Sequence, residues 1–140
     1  MPTRLFAVDR QRRTQTGGVA VEFALGVTIF MLIFMSILEG GRAIMSYGTL
    51  AHLAREGTRY AMVRGTTDPS ITASASDVSD HVESRANGVG DISVSTTWPT
   101  GGSKAPGSMV RVSVSTNYQS IVPVFGGFVL SSTSEMVITY

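Results

Sequence analysis

The chain has 140 residues, 43% of them hydrophobic and only 15% charged. Ordinary soluble domains average about 25% charged residues, so this composition suits a membrane-anchored protein with a near-neutral outer portion. The charges are unevenly placed: residues 1–64 hold eight Arg against four acids, while residues 65–140 hold Arg85, Lys104 and Arg111 against six acids. A nucleic-acid binder would gather its cations on the folded domain, which here is net acidic, so nucleic acid is not an expected partner. Cysteine is absent, which excludes a disulfide framework, thiol chemistry and a Cys-based metal site.

In chain order, residues 1–16 form a short polar arm with Arg4, Arg10, Arg12, Arg13 and one acid, Asp9. Val19 to Leu38 then runs apolar, and Glu22 is its single charge. At 1.5 Å per residue, twenty helical residues span about 30 Å, the thickness of a bilayer core. The arginines before this run put the N-terminus in the cytoplasm and residues 39–140 outside. A cleaved secretory signal is the poorer reading, because the run exceeds an ordinary h-region and no Ala-x-Ala site follows it.

Glu22 is a functional candidate because a membrane segment normally excludes such a charge. Two readings stand side by side. Either the carboxylate has a dedicated partner, or it reaches the headgroups, since it lies only about 4.5 Å beyond Val19.

The helical pattern continues past Leu38 to Arg64, for a total of about 69 Å. Tyr47, Leu50, Ala51, Ala54, Thr58 and Ala61 share one face, and Glu39 with Arg42 and Glu56 with Arg59 can pair at i, i+3. Gly26, Gly40, Gly41, Gly48 and Gly57 weaken a helix, so they point to close helix approach or local bending. Gly65-Thr-Thr-Asp-Pro69 stops it.

A short second helix follows, capped by Thr72 or Ser74, with Val78 and Val82 as apolar contacts and Asn87-Gly88 as its end. The period then changes to two. Ile92–Trp98, Met109–Tyr118 and Phe128–Tyr140 read as antiparallel strands. The inward sets are Ile92, Val94, Thr96 and Trp98; then Val110, Val112, Val114, Thr116 and Tyr118; then Met136, Ile138 and Tyr140. Pro99–Gly107 is a flexible connection, and Gln119–Gly127 is an apolar loop that covers the sheet or meets a partner. The expected fold is α+β: a long N-terminal transmembrane helix continuing into a small domain with a short helix and a three- to four-stranded antiparallel sheet. The helix and the outer helix supply the cover such a sheet needs.

Catalytic constellations are missing. His81 has Asp77, Asp80 and Glu83 nearby, but charged residues on a short helix are ordinarily a solvated face. No Gly-x-Ser-x-Gly elbow or phosphate loop occurs, and Trp98 reads as a strand-end core aromatic. An enzyme is not expected, and neither a cofactor nor a metal is implied.

Gly17-Gly-Val-Ala-Val-Glu22-Phe23-Ala-Leu, then Leu38-Glu39-Gly40-Gly41-Arg42, then Ala54-Arg55-Glu56-Gly57-Thr58-Arg59-Tyr60-Ala61 occur in order. With these motifs the first 65 residues resemble the TadE-like family of pilin-related proteins from the tight-adherence (Tad/Flp) type IV pilus machinery. The outer domain after Gly65 carries no motif of this kind. The resemblance implies a type IV pilin-like ladle fold and a minor pilin or pseudopilin that assembles an adhesive pilus. A prepilin peptidase would cut after Gly17, leaving Gly18 as the first mature residue. Glu22 and Phe23 would complete the processing motif, with Phe23 standing where the family often has Tyr, and Glu22 would set the assembly register. The implied partition is a basic cytoplasmic leader (1–17), a transmembrane helix (18–38), its extracytoplasmic continuation (39–64) and a small outer α+β domain (65–140). The implied partners are the peptidase, other pilins or pseudopilins, the pilus assembly platform and membrane lipid. The implied location is the bacterial cytoplasmic membrane, crossed once, or a surface pilus into which the protein is incorporated. The alternative is a permanently anchored single-pass protein whose outer domain binds a partner or surface ligand.

Overall fold

The computed structural model describes residues 16–66, 70–122 and 126–139. The basic arm, the Asp68-Pro69 part of the helix stop, Val124 and Phe125 of the apolar loop, and Tyr140 lie outside these residues. The described residues divide into two compact units, with the boundary between Ser36 and Ile37.

Helix α1 runs Thr16–Met62, α2 Ala75–Glu83, and strands β1, β2 and β3 run Ile92–Thr97, Met109–Gln119 and Gly127–Val137. Among the described residues the sheet has three strands in the order β1-β2-β3, both pairs antiparallel, and no fourth. The α+β class and the element order are those expected from the sequence. The long helix starts three residues before Val19 and ends two before Arg64, where Val63 and Arg64 turn away.

An 18-residue window of α1 has mean hydropathy 2.3 and none of it is buried. This is the one helix among the described residues long and apolar enough to cross a membrane. Its few hydroxyls are satisfied within the helix: Thr28 Oγ1 donates to the Ala24 carbonyl at 2.8 Å and Ser36 Oγ to that of Leu32 at 2.7 Å. These two hydroxyls thus need no water, the condition an apolar solvent imposes, and the Glu22 carboxylate is the exception in the segment.

In the second unit the core lies between the helices and one face of the sheet. β2 supplies Val110, Val112, Val114, Thr116 and Tyr118, all buried, alternating with Arg111, Ser113 and Ser115. That alternation follows from the period of two, and each fully buried Val contributes roughly 1.5–3 kcal/mol. The opposite face is polar. Arg111 pairs with Glu135 across the strands, and the Ser113 and Thr133 hydroxyls bond at 2.8 Å.

The buried stripe of α1 is Leu50, Leu53, Ala54, Gly57, Thr58 and Ala61. It is rotated from the expected stripe: Tyr47 is 51% exposed and Ala51 only half-buried, while Leu53 and Gly57 take the inner positions. Gly57 is the reason the elements approach so closely. A Cβ built there would lie 2.7 Å from Val82 Cγ2 and 3.1 Å from Val112 Cγ1. Only glycine admits both valines, so α1 is gripped between α2 and β2 at this point. The other four helix glycines, expected to mark close approach or local bending, are Gly26, Gly40, Gly41 and Gly48; no atom lies within 4 Å of such a Cβ at any of them among the described residues.

Ser74, rather than Thr72, caps α2. Its hydroxyl accepts from the Asp77 amide at 3.2 Å while its own amide donates to Asp77 Oδ2 at 2.8 Å, a reciprocal capping box. Thr72 Oγ1 instead donates to the Gly65 carbonyl at 2.8 Å, pinning the chain where it leaves α1. Helix α2 ends at Glu83, a turn before the expected Asn87-Gly88, and Val78 and Val82 are buried as expected. Trp98 follows β1, packs against the core and carries Lys104 Nζ at 4.3 Å from its ring centroid.

Candidate functional site

Three groups of residues carry the chemistry. The first is the start of α1, where Gly17, Gly18, Glu22 and Phe23 occupy the opening turns and all are exposed, Phe23 by 72%. Among the described residues no cation lies within ion-pair distance of Glu22. A carboxylate set into an apolar surface, with no counter-charge among the described residues, needs water, headgroups or another charged group to stabilise it.

The second is built on Glu39, the first residue after the apolar segment. It is only 8% exposed. The Tyr118 hydroxyl, from the inward face of β2, donates to Glu39 Oε1 at 2.7 Å. Arg42 Nη1 donates to the same carboxylate at 3.1 and 3.3 Å, and its guanidinium lies 5.4 Å from the Tyr118 ring centroid. The Tyr118 hydrogen bond holds the Glu39 carboxyl below the usual carboxylate range; burial opposes this, and Arg42 adds to it. Burial first, and then the bond to Glu39, push the Tyr118 phenol above its ordinary value. The i, i+3 pair of Glu39 and Arg42 is the one expected from sequence. The link to Tyr118, 79 residues away, was not foreseen. Its signal was a tyrosine ending an inward-facing apolar run, because a buried phenol needs a partner for its hydroxyl.

The third is built on Glu56, near the end of α1. Arg59 Nε lies 3.7 Å from it, His81 Nε2 3.4 Å and Arg85 Nε 4.0 Å. Arg85 Nη1 is 3.1 Å from His81 Nδ1. A guanidinium only donates, so Nδ1 accepts and the ring proton sits on Nε2, facing Glu56. That hydrogen bond is the main reason the Glu56 carboxyl is held below its ordinary value; burial opposes it, and Arg59 assists. The His81 ring stacks on Tyr60 with centroids 3.9 Å apart, and Arg64 Cζ lies 3.9 Å from the same ring. His81 is therefore oriented by α1, not by Asp77, Asp80 and Glu83 of its own helix. Among the described residues no three His, Asp or Glu side chains are grouped to hold a metal ion. His52 is exposed on α1.

A family model described as TadE-like protein matches residues 17–59. No curated protein and no solved structure matches the chain. The matched stretch is a TadE-like segment that begins at Gly17 and ends at Arg59. It holds all of the first group, the Glu39–Arg42 pair of the second and the Glu56–Arg59 pair of the third.

Proposed function

We propose that this chain acts in a Tad/Flp-type IV pilus system as a minor pilin or pseudopilin. The observation that carries the reading is the position of the TadE-like match: it begins at Gly17, where the apolar, unburied part of α1 begins with Glu22 one turn in. In this reading residues 18–38 cross the cytoplasmic membrane once. The basic arm stays in the cytoplasm, in keeping with the positive-inside rule, and residues 39–140 lie outside. A prepilin peptidase cuts after Gly17, using Gly18, Glu22 and Phe23 as the rest of its motif. Cutting frees an α-amine of reference pKa about 8 at the membrane edge. The Glu22 carboxylate of one subunit pairs with the amine of a neighbour, and because both charges are costly in an apolar layer unless paired, pairing fixes the axial register. The outer domain serves assembly with other pilins, pseudopilins and the platform rather than catalysis.

The test is the mass of the protein from cells with an active prepilin peptidase. Loss of residues 1–17 is expected, and Gly17→Ala is expected to leave the chain inserted but full length. An intact N-terminal segment in the unsubstituted protein would overturn the processing step. Glu22→Ala then addresses the register: pilus formation unchanged by it would remove that role.

A further inference from the structure

We propose that the cleft between the end of α1 and α2 binds an anion with several acid oxygens, of the phosphate or carboxylate type. The inference does not depend on the pilus reading. The cleft has a volume of about 440 Å³ and is lined by Glu56, Arg59, Tyr60, Arg64, His81 and Arg85. Three guanidiniums face one carboxylate, so these four side chains carry two positive charges in excess. A phosphate group at neutral pH carries about −1.5 to −2, which matches that excess.

Most of the donors are also unspent. Arg59 and Arg85 stand 3.7 and 4.0 Å from Glu56, ion-pair distances beyond hydrogen-bond reach. Arg64 Nη1 reaches the Tyr60 carbonyl only at 3.4 Å. Each guanidinium offers five N–H donors in a planar fork suited to acid oxygens. Two of the three are already positioned. Arg64 lies over the Tyr60 ring, and Arg85 is tied to His81 Nδ1 at 3.1 Å and to the His81 carbonyl at 3.2 Å. Guanidiniums held in place before the ligand arrives lose less side-chain freedom on binding it. An ordinary solvated basic face has neither the cavity nor this anchoring. The acid oxygens have two sources: a free anion, or the exposed carboxylates of Asp80 and Glu83 on α2 of a second copy.

The full chain in non-ionic detergent micelles is titrated with inorganic phosphate by calorimetry, in low-chloride buffer. A saturable one-to-one isotherm is expected, with a Kd at or below about 1 mM. Arg59→Gln combined with Arg85→Gln is expected to weaken it at least about tenfold. Arg55→Gln, an exposed arginine of α1 outside the cleft, should leave it unchanged. Thermal melting of each variant verifies folding. Sedimentation in the same micelles forms the second arm: association reversed by phosphate and lost in Asp80→Asn/Glu83→Gln identifies a second copy as the source. Equal weakening by Arg55→Gln would overturn the site, as would the absence of both saturable phosphate binding and phosphate-reversible association.

Discussion

Two glycines of the same helix should respond with opposite sign to the same substitution. Gly→Ala removes the helix cost of glycine, a gain of about 1 kcal/mol. At Gly48 nothing lies within 4 Å of the added carbon, so Gly48→Ala should stabilise the outer unit by about 0.5–1 kcal/mol. At Gly57 the same carbon meets Val82 Cγ2 at 2.7 Å and Val112 Cγ1 at 3.1 Å, with Val78 Cγ1 at 3.6 Å. All three valines are fully buried, so none can swing aside into solvent. Overpacking of this kind costs about 1–3 kcal/mol, which at mid-range outweighs the helix gain and leaves a net loss of about 1 kcal/mol. For a unit of this size each kcal/mol moves the melting midpoint by about 4–8 °C. Trp98, the single tryptophan, packs against the core and reports the transition by its fluorescence in micelles. Gly57→Ala is expected to melt lower than the parent and Gly48→Ala higher. Val82→Ala placed in the Gly57→Ala background should cost less than it does alone, with a coupling of about 1 kcal/mol. A Gly57→Ala protein that melts at or above the parent would refute the close approach of α1 to α2 and β2.

The other predictions concern hydrogen bonds and charge. Ser74→Ala removes the side-chain half of the α2 capping box and should cost about 0.5–2 kcal/mol in the same melting assay. Tyr118→Phe removes the 2.7 Å donor to Glu39, so the melting midpoint should fall and the Glu39 carboxyl, followed by NMR titration, should move up toward its ordinary value. Glu39, Glu56 and Asp77 are all held below their ordinary values in the fold. Groups shifted this way contribute stability fully above the unfolded-chain pKa, about 4, and lose it as the pH falls through the lower folded values. Denaturant midpoints measured from pH 7 down to pH 3 should therefore decline below about pH 4.5. Glu56→Gln should flatten part of that decline by removing one of the three groups.

The strand region was legible because its pattern is redundant. In β2 a period of two separates valines from arginine and serine, and a one-residue slip would have put every valine in water. The Glu39–Arg42 and Glu56–Arg59 pairs were legible because helix geometry alone brings residues three apart together. The inward stripe of α1 was legible only to within a rotation. Hydropathy favoured Tyr47 and gave Gly57 no weight, yet the neighbouring elements set the orientation: Val82 of α2 and Val112 of β2 fit only against a residue without a side chain. The partners of Glu39 and Glu56 on β2 and α2 depend on tertiary packing, for which sequence spacing carries no signal.

The limits of the TadE-like match have a physical counterpart. The matched residues stop at Arg59, so they include Leu50, Leu53 and Ala54 from the helix side of the outer core and none of the sheet side. The two sides are constrained differently. Any alternation of β-branched or aromatic residues with polar ones can present an apolar sheet face, so many sequences satisfy β1, β2 and β3. The helix side must seat small residues at Ala54, Gly57, Thr58 and Ala61, between the larger Leu50 and Leu53 and the buried valines. It must also put Glu39 where the Tyr118 hydroxyl reaches it and keep the stretch before it apolar enough for a membrane. One helix thus carries two residue patterns in sequence, one apolar enough to cross a membrane and one shaped to pack on the outer core. That double demand leaves a denser signature over residues 17–59 than alternation leaves over the sheet.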